Sequence, residues 1–383
     1  MFIKNLFVTL CFFTRLTEIA AHLLSVRFFL PQLFRLRYAN MGGIDPDLFT
    51  RQLEGCRSFK ESAWCGYWNA IAQDYESKAE ELIKQKGNTA LDEVRSLIRK
   101  ATTYYAVSAF PGTTPLRMKA YDNAREFSTR HIRLFDDRVE KLTLKLGDET
   151  VEGFYRFPAG DAKVPMVIVT NGLEGTMQEI LFPLMKYRDA NIGLFVMEMP
   201  GTYAYKNPMS ADSEAIYSGV ISHFARHPRV DEKLIAMVGV SFGAYWSARM
   251  AAADPRLSCA VACGAPLHYA FGAAGFLGKP AIIVSVLLKV AGAKFLHSLD
   301  KKLSDLSFEK NDLYRRISCP LLVINGDNDT LLGTKDSEVL AMKVPKGFLK
   351  LYENDDHCAM GHYNEWLDLT FEWLHMQFNK RDS

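Results

Sequence analysis

The sequence predicts an α/β architecture: a mostly parallel, doubly wound sheet of eight strands preceded by a helical amino-terminal domain. Three observations carry that expectation. From Val139 onward, short apolar runs alternate with helical segments. Between Asp47 and His131 the apolar side chains recur at helical spacing instead. The run Leu234 to Val238 feeds directly into Gly239-Val240-Ser241-Phe242-Gly243, a strand that must turn sharply into a helix.

Taken in order, the elements divide the chain into a helical cap over 1–135 and a catalytic domain over 136–383. At 383 residues, 48% of them apolar, the chain is long enough for two such units. Lys4 precedes the apolar run Asn5 to Phe13 much as in a signal peptide, but the run is short and no small-residue cleavage site follows it. Arg15, Glu18, Arg27, Arg35 and Arg37 then interrupt any stretch long enough to span a membrane. One or two amphipathic helices that pack on the cap are expected, with weak contact to a membrane surface as the alternative. Trp64, Tyr67, Trp68, Ile71 and Tyr75 form one helical stripe, and Leu91, Val94, Leu97, Ile98 and Ala101 a second, so the cap reads as a bundle with an aromatic core.

The strand runs are Val139–Leu146 and Val151–Phe157, paired around Gly147-Asp148, then Met166–Thr170, Gly193–Met197, Leu234–Val238, Cys259–Cys263, Leu321–Asn325 and Phe348–Tyr352. Between the sixth and seventh lies an insertion over 267–317 with an apolar stretch, Pro280 to Val290, and four spaced glycines, Gly272, Gly275, Gly278 and Gly292. A segment this long carries structure or function. It is expected either to roof the pocket or to pack as a helix pair on the flank of the sheet.

A net charge of +2 with interspersed signs leaves no electrostatic footprint for nucleic acid. Seven cysteines, an odd number without regular spacing, point to reduced thiols and a cytoplasmic protein. With neither a CxxC pair nor an HExxH helix, no metal and no cofactor is expected.

The chemistry centres on Ser241. A serine hydroxyl is a poor nucleophile unless a base takes its proton and a carboxylate holds that base in the right tautomer. The order nucleophile, acid, histidine is that of an α/β-hydrolase. The strand ending at Asn325 leads into Gly326-Asp327-Asn328-Asp329, which makes Asp329 the candidate acid and Asp327 its alternate. The last strand is followed by Glu353-Asn354-Asp355-Asp356-His357, which makes His357 the candidate base and His362 its alternate. The oxyanion formed on attack needs N–H donors. Phe242 is one candidate, and Gly172 or Leu173, in the loop Asn171-Gly172-Leu173-Glu174-Gly175, the other.

In these motifs the chain resembles the α/β-hydrolases related to the fermentation-respiration switch protein, 2,6-dihydroxypseudooxynicotine hydrolase and the fungal yellowish-green-type hydrolase that shortens a polyketide. The resemblance runs from about Asp47 onward and includes Ala101-Thr102-Thr103-Tyr104-Tyr105, Ser108-Ala109-Phe110-Pro111, the Asn171 to Gly175 loop and Met197-Glu198-Met199-Pro200-Gly201-Thr202. It implies a homodimer whose helical domain covers the pocket, and an activity that in several members breaks a carbon–carbon bond beside a ketone. It also implies a substrate-binding role for Glu174. A carboxylate there would oppose an oxyanion unless it is protonated or aimed elsewhere. It either orients a substrate hydroxyl or proton delivery, or simply hydrogen-bonds backbone.

The expected function is therefore a serine hydrolase with a small-molecule ketone or acyl substrate, favouring carbon–carbon hydrolysis of a β-diketone, polyketide or acyl-aromatic compound. A carboxylesterase or thioesterase is the first alternative. A non-catalytic regulatory binding protein on the same fold is the alternative of another class.

Overall fold

The computed structural model describes residues 2–14, 16–112, 114–271 and 281–380. The chain divides into two compact units: Met1–Asp137 with Gln178–Lys186 and Leu277–Val286, and the remainder. The boundary expected after residue 135 falls two residues later. Two segments expected in the catalytic domain cluster instead with the helical unit, a grouping that chain order does not encode.

The helical unit contains α1 (Phe2–Phe13), α2 (Thr17–Leu24), α3 (Gln32–Gly42), α4 (Pro46–Gly55), α5 (Glu61–Lys86), α6 (Leu91–Ala109) and α7 (Pro115–His131). Helix α4 starts where it does because Asp45 accepts the Leu48 N–H at 2.7 Å and Pro46 has no N–H to leave orphaned. Trp64 and Trp68 of the predicted α5 stripe share one aromatic core with Tyr104 to Val107 of α6, and Val94, Ile98 and Ala101 of the predicted α6 stripe are buried as well. Phe34, Phe49, Trp64, Trp68 and Tyr104 are buried together, and the Trp64 indole N–H donates to the Val107 carbonyl at 3.0 Å.

The amino-terminal helices belong to that core. Val8, Cys11, Ala21, Val26, Phe29 and Leu30 are buried in the same cluster. Two of the charges that interrupt the apolar pattern have internal partners: Glu18 accepts the Phe59 N–H at 3.1 Å, and Arg37 forms a two-pronged pair with Glu179 at 2.8 and 3.1 Å. The opposite face exposes Leu6, Leu10, Ile19 and Leu23. Among the described residues no helix is long and apolar enough to cross a membrane.

The second unit is built on one eight-stranded sheet. Its strands are β1 (Glu140–Leu146), β2 (Glu149–Arg156), β3 (Val164–Thr170), β4 (Gly193–Met197), β5 (Val230–Val240), β6 (Leu257–Cys263), β7 (Leu321–Gly326) and β8 (Gly347–Tyr352), in spatial order β1-β2-β4-β3-β5-β6-β7-β8. β1 and β2 form the predicted hairpin, β2 pairs antiparallel with β4, and the other pairs are parallel. Strand β5 begins four residues before its apolar run because Val230 pairs with Val164 ahead of a register shift. The remaining helices are α8 (Met177–Leu184), α9 (Glu214–Ala225), α10 (Phe242–Ala253), α11 (Ala281–Val290), α12 (Leu296–Asp305), α13 (Lys335–Lys343) and α14 (Tyr363–Asn379).

Strand order reverses at β3, between β4 and β5, so the loops after β3 and β5 open onto a common crevice at the carboxyl edge. In the insertion, Gly272, Gly275 and Gly278 lie outside the described residues. Gly292, by contrast, is the cap of α11. It has φ +59°, its N–H reaches the Lys289 carbonyl at 2.9 Å, and the Ala293 N–H reaches that of Leu288 at 2.6 Å. The start of the insertion is pinned by Asp336 of α13, whose buried carboxylate accepts the backbone N–H groups of Leu267, His268, Tyr269 and Ala270, each at 3.0 Å. All seven cysteines are buried and form no disulfide.

Candidate active site

Strand β5 delivers Ser241 into a strained turn. Its φ of 56° and ψ of −123° lie where a side chain is disfavoured, and they stand the hydroxyl clear of the sheet edge. Both flanking glycines are required by close approach. A Cβ on Gly239 would sit 2.0 Å from the Gly243 carbonyl oxygen, and one on Gly243 2.5 Å from those of Thr170 and Asn171.

The structure brings Ser241, His357 and Asp329 together. The Ser241 Oγ is 2.9 Å from His357 Nε2, and His357 Nδ1 is 2.8 Å from Asp329 Oδ2. An ionised carboxylate only accepts, so Nδ1 carries the ring proton and Nε2 is left to accept the serine hydroxyl. Both histidine and aspartate are buried. Burial opposes the charge on Asp329, but the His357 ring, the Leu332 amide and the Asn325 side chain outweigh it and hold the carboxyl below its ordinary value. Burial likewise opposes a charged His357, yet the ring is raised well above 6.5. The neighbouring Cys358 thiol is itself pushed up by burial and stays neutral, so the Asp329 carboxylate is the partner that raises the histidine.

The alternates stand elsewhere. Asp327 is exposed. His362 is held by Asp355, which takes both its Nδ1 at 2.8 Å and its backbone N–H at 3.0 Å.

Of the oxyanion candidates, Phe242 heads α10, in the first turn where a helix supplies no acceptor for its amides. Gly172 is a correction. Its N–H is taken by its neighbour's side chain, Asn171 Oδ1 at 2.9 Å, so it is not available as a donor. What Gly172 supplies is room: a Cβ there would lie 2.7 Å from the Ser241 Cβ and 3.2 Å from the Phe242 nitrogen. Among the described residues the Leu173 N–H has no partner, so it is the remaining candidate for the second donor. Gly175 closes the turn on the Gly172 carbonyl at 3.1 Å and holds Glu174 at φ +53°. The Glu174 side chain is fully buried, its backbone carbonyl accepts the Tyr203 hydroxyl at 2.9 Å, and Lys289 Nζ lies 3.5 Å from its Oε1.

Two residues that the sequence left unmarked organise the site. Asn325, read only as the end of a strand, donates to Asp329 Oδ2 at 3.0 Å and accepts the Cys358 N–H at 2.9 Å. Lys289, read as part of an apolar stretch, is the one charged side chain of α11, and a lone lysine at the end of so apolar a helix is the signal available in the sequence. Among the described residues no three His, Cys, Asp or Glu side chains converge to hold a metal ion. A separate groove of about 660 Å³ beside Glu149, Pro208, Met209 and Lys302 includes neither Ser241 nor His357 in its lining.

This strand order, with a serine elbow after β5, an aspartate after β7 and a histidine after β8, defines a hydrolytic enzyme of the α/β-hydrolase class. Within that class, the chain belongs to the family described as Esterase FrsA-like, which matches residues 52–379. It is 23% identical over 332 residues to Esterase FrsA of Vibrio cholerae serotype O1, covering 84% of this chain and 78% of that one. It is also 23% identical over 310 residues to 2,6-dihydropseudooxynicotine hydrolase of Paenarthrobacter nicotinovorans, covering 78% and 80%. Among solved structures, that of the 2,6-dihydroxy-pseudo-oxynicotine hydrolase shares the fold with a TM-score of 0.74 at 20% identity over 88% of this chain and 94% of that one. AbyA5 does so with a TM-score of 0.67 at 19% identity over 81% and 89%.

Proposed function

We propose that the protein is a serine hydrolase that transfers an acyl group from a ketone or ester substrate to Ser241 and then to water. The observation that carries this reading is the unbroken hydrogen-bonded line from Ser241 through His357 to Asp329. Ser241 Oγ attacks the substrate carbonyl carbon while its proton passes to His357 Nε2. The resulting oxyanion is met by the Phe242 and Leu173 amides. As the tetrahedral intermediate collapses, the bond to the leaving group breaks with its electron pair, and His357 returns the proton to that group. His357 then deprotonates a water molecule, which releases the acid and restores the serine.

The favoured leaving group is carbon, as in a β-diketone, a polyketide or an acyl-aromatic compound. Supporting it are a buried carboxylate, Glu174, in the oxyanion-side loop, which ester hydrolysis does not call for, and the similarity to a pseudooxynicotine hydrolase. The family's esterase description supports oxygen or sulfur leaving groups as the second reading. Incubating wild type and Ser241→Ala with matched esters, thioesters and aryl β-diketones, with products followed by mass spectrometry, decides between them. Cleavage of every class is expected to vanish in Ser241→Ala while the fold persists. Retained activity in that variant would remove Ser241 as nucleophile, and a preference for esters would select the second reading.

A further inference from the structure

The Glu174 carboxylate poses an electrostatic problem at a site that must stabilise an anion. It follows immediately after Leu173, whose amide is a candidate oxyanion donor, in a turn that packs directly against Ser241. Its side chain has no exposure to water, so solvent cannot screen its charge. Any counter-charge must come from the protein.

We infer that Lys289 is a positioning residue: its ammonium ion, 3.5 Å from Glu174 Oε1, neutralises the loop carboxylate, so that acyl transfer at Ser241 proceeds beside a net uncharged pair. This rests on the acyl-transfer reading above. Three further observations support it. The lysine is half-buried rather than waving in solvent, and it is the only charge on α11, so nothing else on that helix competes for it. Its position is fixed by the glycine cap that ends α11 and by the Met209 N–H, which donates to the Val290 carbonyl at 2.8 Å. Burial also draws the ammonium below its ordinary value while Glu174 pushes back, so each partner is the other's compensation for leaving water. With the pair intact, the loop adds no net charge beside the oxyanion site.

The alternative is a tether that merely holds α11 to the loop, and a double-mutant cycle separates the two roles. The readouts are the rate of Ser241 labelling by a fluorophosphonate, whose transition state is anionic, and kcat and KM for an aryl ester. Melting temperature is followed for each variant. Neutralisation predicts that Lys289→Met slows labelling at least tenfold through kcat rather than KM. It also predicts that Glu174→Gln/Lys289→Met labels faster than Lys289→Met and within threefold of Glu174→Gln, and that Lys289→Arg retains the wild-type rate. A tether predicts that either single change is as damaging as both together, and that result overturns the inference. So does Lys289→Met labelling within twofold of wild type. Should Lys289→Met fail to fold, the comparison of Lys289→Arg with the double variant still decides. Failure of wild type to label at Ser241 would instead overturn the acyl-transfer reading itself, a result distinguishable before any variant is compared.

Discussion

Asn325 and Asp329 are joined by a 3.0 Å hydrogen bond, and the other end of the same amide accepts the Cys358 N–H, so one buried side chain ties the loop of the acid to the loop of the base. Cys358 and Ala359 both have positive φ, so the segment after His357 takes a path that its own sequence does not favour. Asn325→Leu keeps the volume but leaves a buried carboxylate oxygen and an amide short of a partner. The expected outcome is a loss of about 1–3 kcal/mol of stability and roughly a tenfold or greater fall in kcat with KM little changed. Denaturant titration and ester kinetics check both.

The raised affinity of His357 for its proton sets the direction of a pH effect. Attack requires the neutral ring, and the neutral ring exists only above the histidine's own value in the folded protein. Because Asp329 raises that value, the acidic limb of kcat/KM is expected above pH 6.5. Asp329→Asn removes the charge that favours the imidazolium, so the limb moves to lower pH. The amide also supports the wrong tautomer, and kcat falls by about a thousandfold or more. A limb that stays in place in Asp329→Asn would show that another group controls it.

Gly172 yields a prediction about space rather than donation. An alanine methyl would press on the Ser241 Cβ and the Val240 carbonyl and intrude beside the Phe242 amide, where a substrate oxygen must sit. Gly172→Ala is expected to lower kcat about a hundredfold or more, with a stability cost of about 1–3 kcal/mol from overpacking. The His357 to Asp329 bond is not touched, so a pH profile of the residual activity should keep its wild-type shape.

These residues also mark what the sequence makes legible. Ser241, Asp329 and His357 could be found because each stands just past an apolar run, and a parallel sheet brings such strand ends to one edge whatever the loops do. Strands β3 to β8 were legible for the same reason, and the β1–β2 hairpin from the Gly147-Asp148 turn between its two runs. Asn325, Asp336 and Lys289 were not, because their roles depend on partners that lie 33, 69 and 115 residues away, as with Cys358, Leu267 and Glu174, and no local pattern encodes those distances. The Gly172 amide failed as a donor through a purely local event, the return of the Asn171 side chain onto its neighbour's N–H. The apolar run and charges at the amino terminus favour packing but leave a membrane surface as an alternative, and the internal partners of Glu18 and Arg37 are visible only in the fold.

That last contrast leads to a test of the amino-terminal helices. Val26, Phe29, Phe34 and Tyr38 are buried beside Trp64 and Trp68, so removing all residues before Asp47 would open the core of the helical unit and could not isolate a surface role. Substituting the outer face does isolate it. Leu10, Ile19 and Leu23 are 58%, 62% and 70% exposed, and changing each to Ser is expected to alter stability by no more than about 0.5 kcal/mol. Trp64→Ala, which empties the aromatic core and removes the bond to Val107, should cost about 3–5 kcal/mol. If α1 and α2 serve packing alone, wild type and the triple Ser variant stay equally unbound in flotation with anionic liposomes. Flotation of wild type that the triple variant loses would assign the outer face to a membrane surface while leaving the inner face to the core.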